Sequence, residues 1–290
     1  MSNGQWYPPE WPERIRALAA GTLTPATPRR AATVMLLRDA TGPDGLEVHM
    51  LRRRTSMQFA AGAYAYPGGG VDPRDDDRQV RWAGPSREVW AERLGVPSRE
   101  AQAIVCAAVR ETFEEAGVLL AGPTPDTVVD DTTGAQWQAA RQALIDRELS
   151  FAEFLEQRGL VLRSDLLGAW ARWITPEFEP RRYDTWFFAA ALPAGQRTSD
   201  DSSEADRTVW IRPGRAASAY DQGELTMMPP TIATLRTLAA YGSAADALAG
   251  ATGRDLTPVL ARARLEEGAL VLSWPGHDEF TKHIPTGGSA

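Results

Sequence analysis

The stretch Arg110-Glu111-Thr112-Phe113-Glu114-Glu115-Ala116-Gly117-Val118 decides the reading of this chain. It closes an alanine-rich run from about Glu100 that contains no Pro or Gly before Gly117, so one helix is expected over residues 100–116, with Gly117 ending it. At about 100° per residue, Glu111, Glu114 and Glu115 fall on one face, and Val105, Cys106, Val109, Phe113 and Ala116 on the other. The apolar side is expected to face a core while the other gathers three carboxylates.

Like charges three and four positions apart destabilise a helix, and an ordinary solvated face would intersperse Lys or Arg. A divalent cation removes that repulsion. The donors are oxygens alone, without His or Cys on that face, a set that suits Mg²⁺ or Mn²⁺ and leaves positions for water and phosphate oxygens. Arg110, four residues before Glu114, is placed to hold that carboxylate. The plainer alternative is an acidic, solvated helix face.

A second stretch, Tyr66-Pro67-Gly68-Gly69-Gly70-Val71-Asp72, lies upstream. The two together resemble the Nudix box GX5EX7REUXEEXGU, where U is aliphatic: the glycine turn opens it and Arg110 to Val118 closes it. Thr112 stands at an aliphatic position, Gln102 where the box has Glu, and a long insertion separates Gly70 from Glu100. A box split in this way, followed by RETFEEAGVLL, resembles the peroxisomal coenzyme A diphosphatase branch and its bacterial relatives. Upstream residues are similar in part to that branch's coenzyme A motif, LLTXR(S/A)X3RX3GX3FPGG. Arg53, Gly62, Pro67, Gly68 and Gly69 match it, Tyr66 replaces Phe, and Leu51, Arg54 and Gln58 depart from it. Thr175-Pro176 and Arg181-Arg182-Tyr183-Asp184-Thr185 resemble a further stretch of the same branch.

The resemblance implies an α/β fold, a Nudix-type α/β/α sandwich with a mixed sheet and helical insertions. It implies a metal-dependent diphosphatase whose metal ligands are Glu111, Glu114 and Glu115, with Glu111, Glu114, Arg110 and Glu204 as catalytic residues. Glu204 enters as the best positional match for the acidic loop residue that many Nudix enzymes use in metal binding or as general base, ahead of Asp201 and Asp206. Substrate contacts are expected from Arg53, Gly68 and Gly69, and from Arg181 and Arg182 beside a strand. The substrate implied is coenzyme A or an acyl ester, cut to 3′,5′-ADP and (acyl-)4′-phosphopantetheine. Alternatives are NADH, an ADP-sugar or a nucleoside triphosphate, or a catalytically inactive nucleotide-sensing domain.

Composition sets the outer bounds. With 290 residues, 43% hydrophobic, the chain is long enough to bury a full core. A net charge of -7 without a basic block argues against a nucleic-acid polymer or a membrane surface as partner. Lys282 is the sole lysine, which leaves phosphate recognition to arginine forks and backbone amides. The single cysteine, Cys106, excludes an internal disulfide. No run approaches the roughly 20 apolar residues of a membrane span. The opening residues carry no signal pattern and the final ones no peroxisomal address, so a cytoplasmic location is expected.

The expected organisation is an N-terminal helix and linker over 1–29, a Nudix domain over 30–243 and a helix-and-strand extension over 244–290. Alternation and turn residues predict a hairpin, Ala31 to Arg38 with Leu46 to Arg52, around Gly42-Pro43-Asp44-Gly45. Insertions are expected at 72–99, with a short helix from Arg87 to Leu94, and at 135–160, with two helices that either pack on the core, cap the substrate or form a homodimer surface. A strand is expected over Val118 to Ala121, paired aromatic strands over Ala169 to Ile174 and Tyr183 to Ala191, a helix capped by Thr231, and a helix from Thr257 to Glu267.

Overall fold

The computed structural model describes residues 9–40, 45–54, 62–76, 79–199, 205–266, 269–274 and 277–283. After α1 (Trp11–Ala19) come β1 (Arg29–Asp39), β2 (Leu46–Arg53), β3 (Tyr64–Ala65), β4 (Gly68–Gly70) and β5 (Trp82–Ala83). Then follow α2 (Arg87–Leu94), α3 (Ser98–Ala116), β6 (Ala121–Gly122), α4 (Ala135–Ile145), α5 (Phe151–Gln157), β7 (Val161–Arg163), β8 (Gly168–Ile174) and β9 (Tyr183–Ala191). The chain continues through β10 (Ala205–Ile211), α6 (Pro213–Asp221), α7 (Pro229–Leu238), α8 (Ala244–Ala251), β11 (Val259–Leu260), β12 (Arg262–Glu266), β13 (Ala269–Trp274) and β14 (His277–His283).

The central strand is β1. In a strand successive side chains point to opposite faces, and here both faces are covered. Ala32, Val34 and Leu36 join a core beneath α2, α3, α4 and α5. Met35 and Leu37 join a second core beneath α1, α6, α7 and α8. This is the expected α/β/α sandwich around a mixed sheet of order β10-β2-β1-β9-β8-β11, with β3 on β2 and β4 on β1. One edge of β1 runs parallel to β9 from Arg29 opposite Tyr183 to Leu37 opposite Ala191. The other edge is divided: Leu37 to Asp39 pair with β2, and Ala31 to Thr33 pair with the glycine strand β4. The sheet therefore forks at the start of β1.

Helix α3 starts two residues before the expected Glu100 and ends as expected, with Gly117 at φ 71° donating its amide to the Phe113 carbonyl. Val105, Cys106, Val109, Phe113 and Ala116 are fully buried. Both helices of the second insertion pack on this core through Leu144, Phe151, Phe154 and Leu155, with Phe154 stacked on Phe113. In the first insertion Trp90 packs edge-on against Phe188 and Trp82 pairs with the Arg87 guanidinium.

Three local expectations give way. Residues 118–120 are buried, but Leu119 is met by a side chain rather than a ladder: Gln196 accepts from its amide and donates to its carbonyl, while the Leu120 carbonyl already accepts from the Arg163 amide. The strand begins only at Ala121, in a small sheet of order β5-β7-β6. Helix α7 has Met228 at its N-cap without a side-chain cap, since Pro229 and Pro230 preset the first turn and Thr231 lies inside it. The helix expected over Thr257 to Glu267 is absent. Pro258 withholds an amide, and Ala261, Arg262, Ala263 and Arg264 alternate inward and outward as strand residues do. The tail's helix is instead α8, capped by Ser243 accepting from the Asp246 amide. Through β11, which pairs with β8, the tail joins the main sheet.

Candidate active site

The glycines of β4 press against the carboxylates of α3. The Gly68 amide donates to Glu115 Oε2 at 2.8 Å. A Cβ on Gly69 would stand 2.5 Å from Glu111 Oε1, so only a residue without a side chain admits the Glu111 carboxylate at this spot. Residues that share a motif in the sequence thus meet by contact in the fold.

Arg110 is the hub between them. Its Nε and Nη2 donate to the two oxygens of Asp75, both at 3.0 Å, and Nη2 also donates to the Gly70 carbonyl. Nη1 donates to Glu111 Oε1 at 2.8 Å and to Glu114 Oε1 at 3.2 Å. Burial opposes its charge, but the Asp75 contact and the two glutamates outweigh it and raise the guanidinium above its ordinary value. Burial pushes the Glu111 carboxyl up to about 7; Arg110 opposes this and Glu114 adds to it. Glu114 is raised too, first by burial.

Asp75 was missed in the sequence. It lies in the first insertion within an acidic run that reads as solvated loop, and only the folded chain shows it 2% exposed against Arg110. Its neighbour Asp72 is held at about 2, chiefly by the Arg74 guanidinium at 2.9 Å. Arg74 in turn donates to the carbonyl of Arg147, a residue held in the left-handed region at φ 60°. Gln102, at the box position of a Glu, is buried and accepts from Arg87 of the first insertion.

Two cavities meet at the glycine strand. The first, of about 480 Å³, is lined by Glu111, Glu114, Glu115, Asp72 and Asp75 together with Arg29, Arg30, Arg74, Arg110 and Arg147. The second, of about 590 Å³, contains Arg53, Arg181 and Glu179 among mainly apolar walls. Gly68, Gly69, Gly70 and Tyr183 line both. Arg182 lines neither: it is buried and donates to the carbonyls of Thr175 and Ala26, so its guanidinium is engaged by backbone rather than offered to a substrate. Glu204 and Asp201 lie outside the described residues, and Asp206 is bound by Arg52 away from both cavities.

The donor set of α3, carboxylate oxygens of partly desolvated side chains, fits a hard divalent cation. As the side chains stand, Arg110 and the Gly68 amide hold them, and among the described residues no three acidic, His or Cys side chains are drawn into a metal cluster. Also among the described residues, no helix is long and apolar enough to cross a membrane.

Glu179 gives a test of the second cavity's dryness. Burial pushes its carboxyl up to about 7, against the neighbouring Trp11 and Arg14. A carboxyl raised on folding costs nothing at a pH below its unfolded value; the cost grows as pH rises from there to about 7 and is full above it. Glu179→Gln is therefore expected to be more stable than the parent at pH 8, by about 1–2 kcal/mol after allowance for solvent at the cavity mouth, and to melt higher, with the gap closing by pH 4.5. Equal melting gaps at both pH values would contradict it.

The profile of the NUDT19 Nudix domain matches residues 91–238, just over half of the chain. Acyl-coenzyme A diphosphatase NUDT19 of Gallus gallus is 27% identical over 268 residues, 75% of this chain and 70% of that protein. The Homo sapiens protein of the same name is 27% identical over 283 residues, 80% of this chain and 74% of its own length. The crystal structure of a Nudix hydrolase from Alicyclobacillus acidocaldarius superposes with a TM-score of 0.63 at 28% identity, covering 77% of this chain and 96% of that one. The chain whose glutamate-bearing helix meets a strand of three glycines thus belongs to the Nudix hydrolases, in the NUDT19 domain family.

Proposed function

We propose that the chain hydrolyses the diphosphate bond of coenzyme A or its acyl esters, releasing 3′,5′-ADP and (acyl-)4′-phosphopantetheine. The observation that carries this reading is the alignment of Glu111, Glu114 and Glu115 along a cavity wall facing the glycine strand, with a second cavity on the strand's other side. The acyl-coenzyme A diphosphatases among its relatives supply the substrate class.

Nudix hydrolases use divalent metal ions, and here Glu111, Glu114 and Glu115 would hold Mg²⁺ or Mn²⁺. When bound, the cation neutralises charge on the phosphoryl oxygens and lowers the pKa of a water. Arg110 fixes the angle of Glu111 and Glu114, and the Gly68 amide fixes Glu115. A carboxylate, Glu111 or Glu204, takes the proton as water oxygen attacks phosphorus in line. The bond to the bridging oxygen breaks, the second phosphate leaves with that electron pair, and no covalent enzyme intermediate forms. Arg53 and Arg181, in the second cavity beside the glycines, would receive substrate phosphate oxygens. The proposed setting is the cytoplasm, supported by one buried cysteine and no disulfide.

A panel of coenzyme A, octanoyl-coenzyme A, NADH, ADP-ribose and ATP at equal concentration, with Mg²⁺ or Mn²⁺ and products separated by chromatography, tests this. The coenzyme A substrates are expected to turn over fastest, giving 3′,5′-ADP. Cleavage of NADH or ADP-ribose without cleavage of either coenzyme A substrate would overturn the substrate, though not the chemistry.

A further inference from the structure

The floor of the second cavity is one face of the sheet. Ala31 and Thr33 of β1 and Thr185 and Phe187 of β9 line it, and the parallel register sets Ala31 opposite Thr185 and Thr33 opposite Phe187. These residues share a parity with Met35 and Leu37, on the face away from α3. The carboxylates of the first cavity come from α3 on the other face, so the two cavities meet across the glycine strand, which has no side chains; Arg29, at the start of β1, reaches the first although it shares the parity of Ala31 and Thr33. The remaining walls come from elements remote in sequence: Trp11 of α1, Trp173 at the end of β8, Met228 before α7, and Ala261 and Leu272 of the tail. Trp173 is held edge-on by Trp274.

The halves of an acyl-coenzyme A differ in the same way as the cavities. Beyond the diphosphate, one arm ends in a 3′-phosphate, a dianion; the other, the pantetheine arm, is uncharged and ends in an alkyl chain. The first cavity offers Arg29 and Arg147, both exposed, and among the described residues no ion pair or hydrogen bond occupies either guanidinium. The second carries Arg53 and Arg181, assigned above to substrate phosphate oxygens, and otherwise offers mainly indole, phenyl, thioether and alkyl surface, where an apolar chain gains from leaving water.

We propose that the substrate lies across the glycine strand, with its acyl-pantetheine arm in the second cavity between Trp11, Trp173, Phe187, Met228 and Leu272, and its 3′-phosphate on Arg29 and Arg147 in the first. This rests on the coenzyme A reading above and adds the assignment of each half to a side. Leu272 of β13 and Met228 before α7 line this cavity, so the assignment makes chain-length preference depend on them.

Leu272→Trp fills the apolar end. It is expected to lower kcat/KM for octanoyl-coenzyme A at least about tenfold relative to free coenzyme A. Met228→Trp, at a half-buried position on another element, is expected to shift the same ratio in the same direction, which covers the case in which the first variant fails to fold. Arg147→Ala and Arg29→Ala are expected to reduce the preference for coenzyme A over dephospho-coenzyme A, which lacks the 3′-phosphate. If both tryptophan variants depress free and octanoyl-coenzyme A equally, or if both arginine variants leave the dephospho preference intact, the assignment is overturned while the diphosphatase reading stands. If the parent cleaves no coenzyme A substrate at all, both fall.

Discussion

Glu115→Gln is expected to fold like the parent and to lose about 10³ in kcat for diphosphate hydrolysis at saturating Mg²⁺. The substitution is chosen because Glu115 does two things that Gln separates. Its Oε2 accepts the Gly68 amide at 2.8 Å, a bond the Gln carbonyl oxygen still accepts, so the contact between α3 and β4 survives. What disappears is one negative charge from the set that would bind the cation. Loss of about 4 kcal/mol of transition-state stabilisation corresponds to that rate factor. Melting temperature without metal, Mn²⁺ binding by calorimetry and kcat at saturating Mg²⁺ form the measurement. Unchanged melting with weakened Mn²⁺ binding and lost turnover supports the role; near-parental kcat refutes it.

The second large effect is on stability. Arg110→Met removes a cation that serves Asp75, Glu111 and Glu114 at once, and the Asp75 side chain is 2% exposed. Removing one partner of a buried pair leaves the other desolvated and uncompensated, a loss of about 3–5 kcal/mol. Lysine will not restore it, because an ammonium cannot donate to both Asp75 oxygens, the Gly70 carbonyl and both glutamates from one plane. Urea unfolding of the parent, Arg110→Met, Asp75→Asn and the double variant, without metal, measures this. The double variant is expected to recover part of the single-variant loss. A loss under about 1 kcal/mol for Arg110→Met would show that the pair is exposed in solution, contrary to the structure.

The ridge of glutamates was legible because helix periodicity is local: three glutamates at spacings of three and four must share a face wherever the helix lies. The hairpin and the insertion helices were legible for the same reason. Asp75 was not, since its place beside that ridge is set by Arg110, 35 residues away, and nothing in an acidic loop encodes that meeting. Arg181 and Arg182 show a related limit. One of two neighbours faces the cavity and the other the carbonyls of Thr175 and Ala26, and parity is fixed only once the register of β9 is known. The tail was misread because its alanines and arginines suit a helix as well as a strand; the edge of β8 for β11 and β13 for β12 decided it. The second cavity was invisible, its walls being drawn from both ends of the chain.

The middle of α3 has one more consequence. Residues Ile104 to Val109 have no exposed surface, enclosed by the sheet on one side and the insertion helices on the other. Amides so enclosed are expected to exchange with deuterium only through global opening, so the helix that carries Glu111, Glu114 and Glu115 is expected not to loosen ahead of unfolding. On warming, turnover should therefore persist up to the cooperative melt and vanish with it, instead of fading through a softened but folded intermediate.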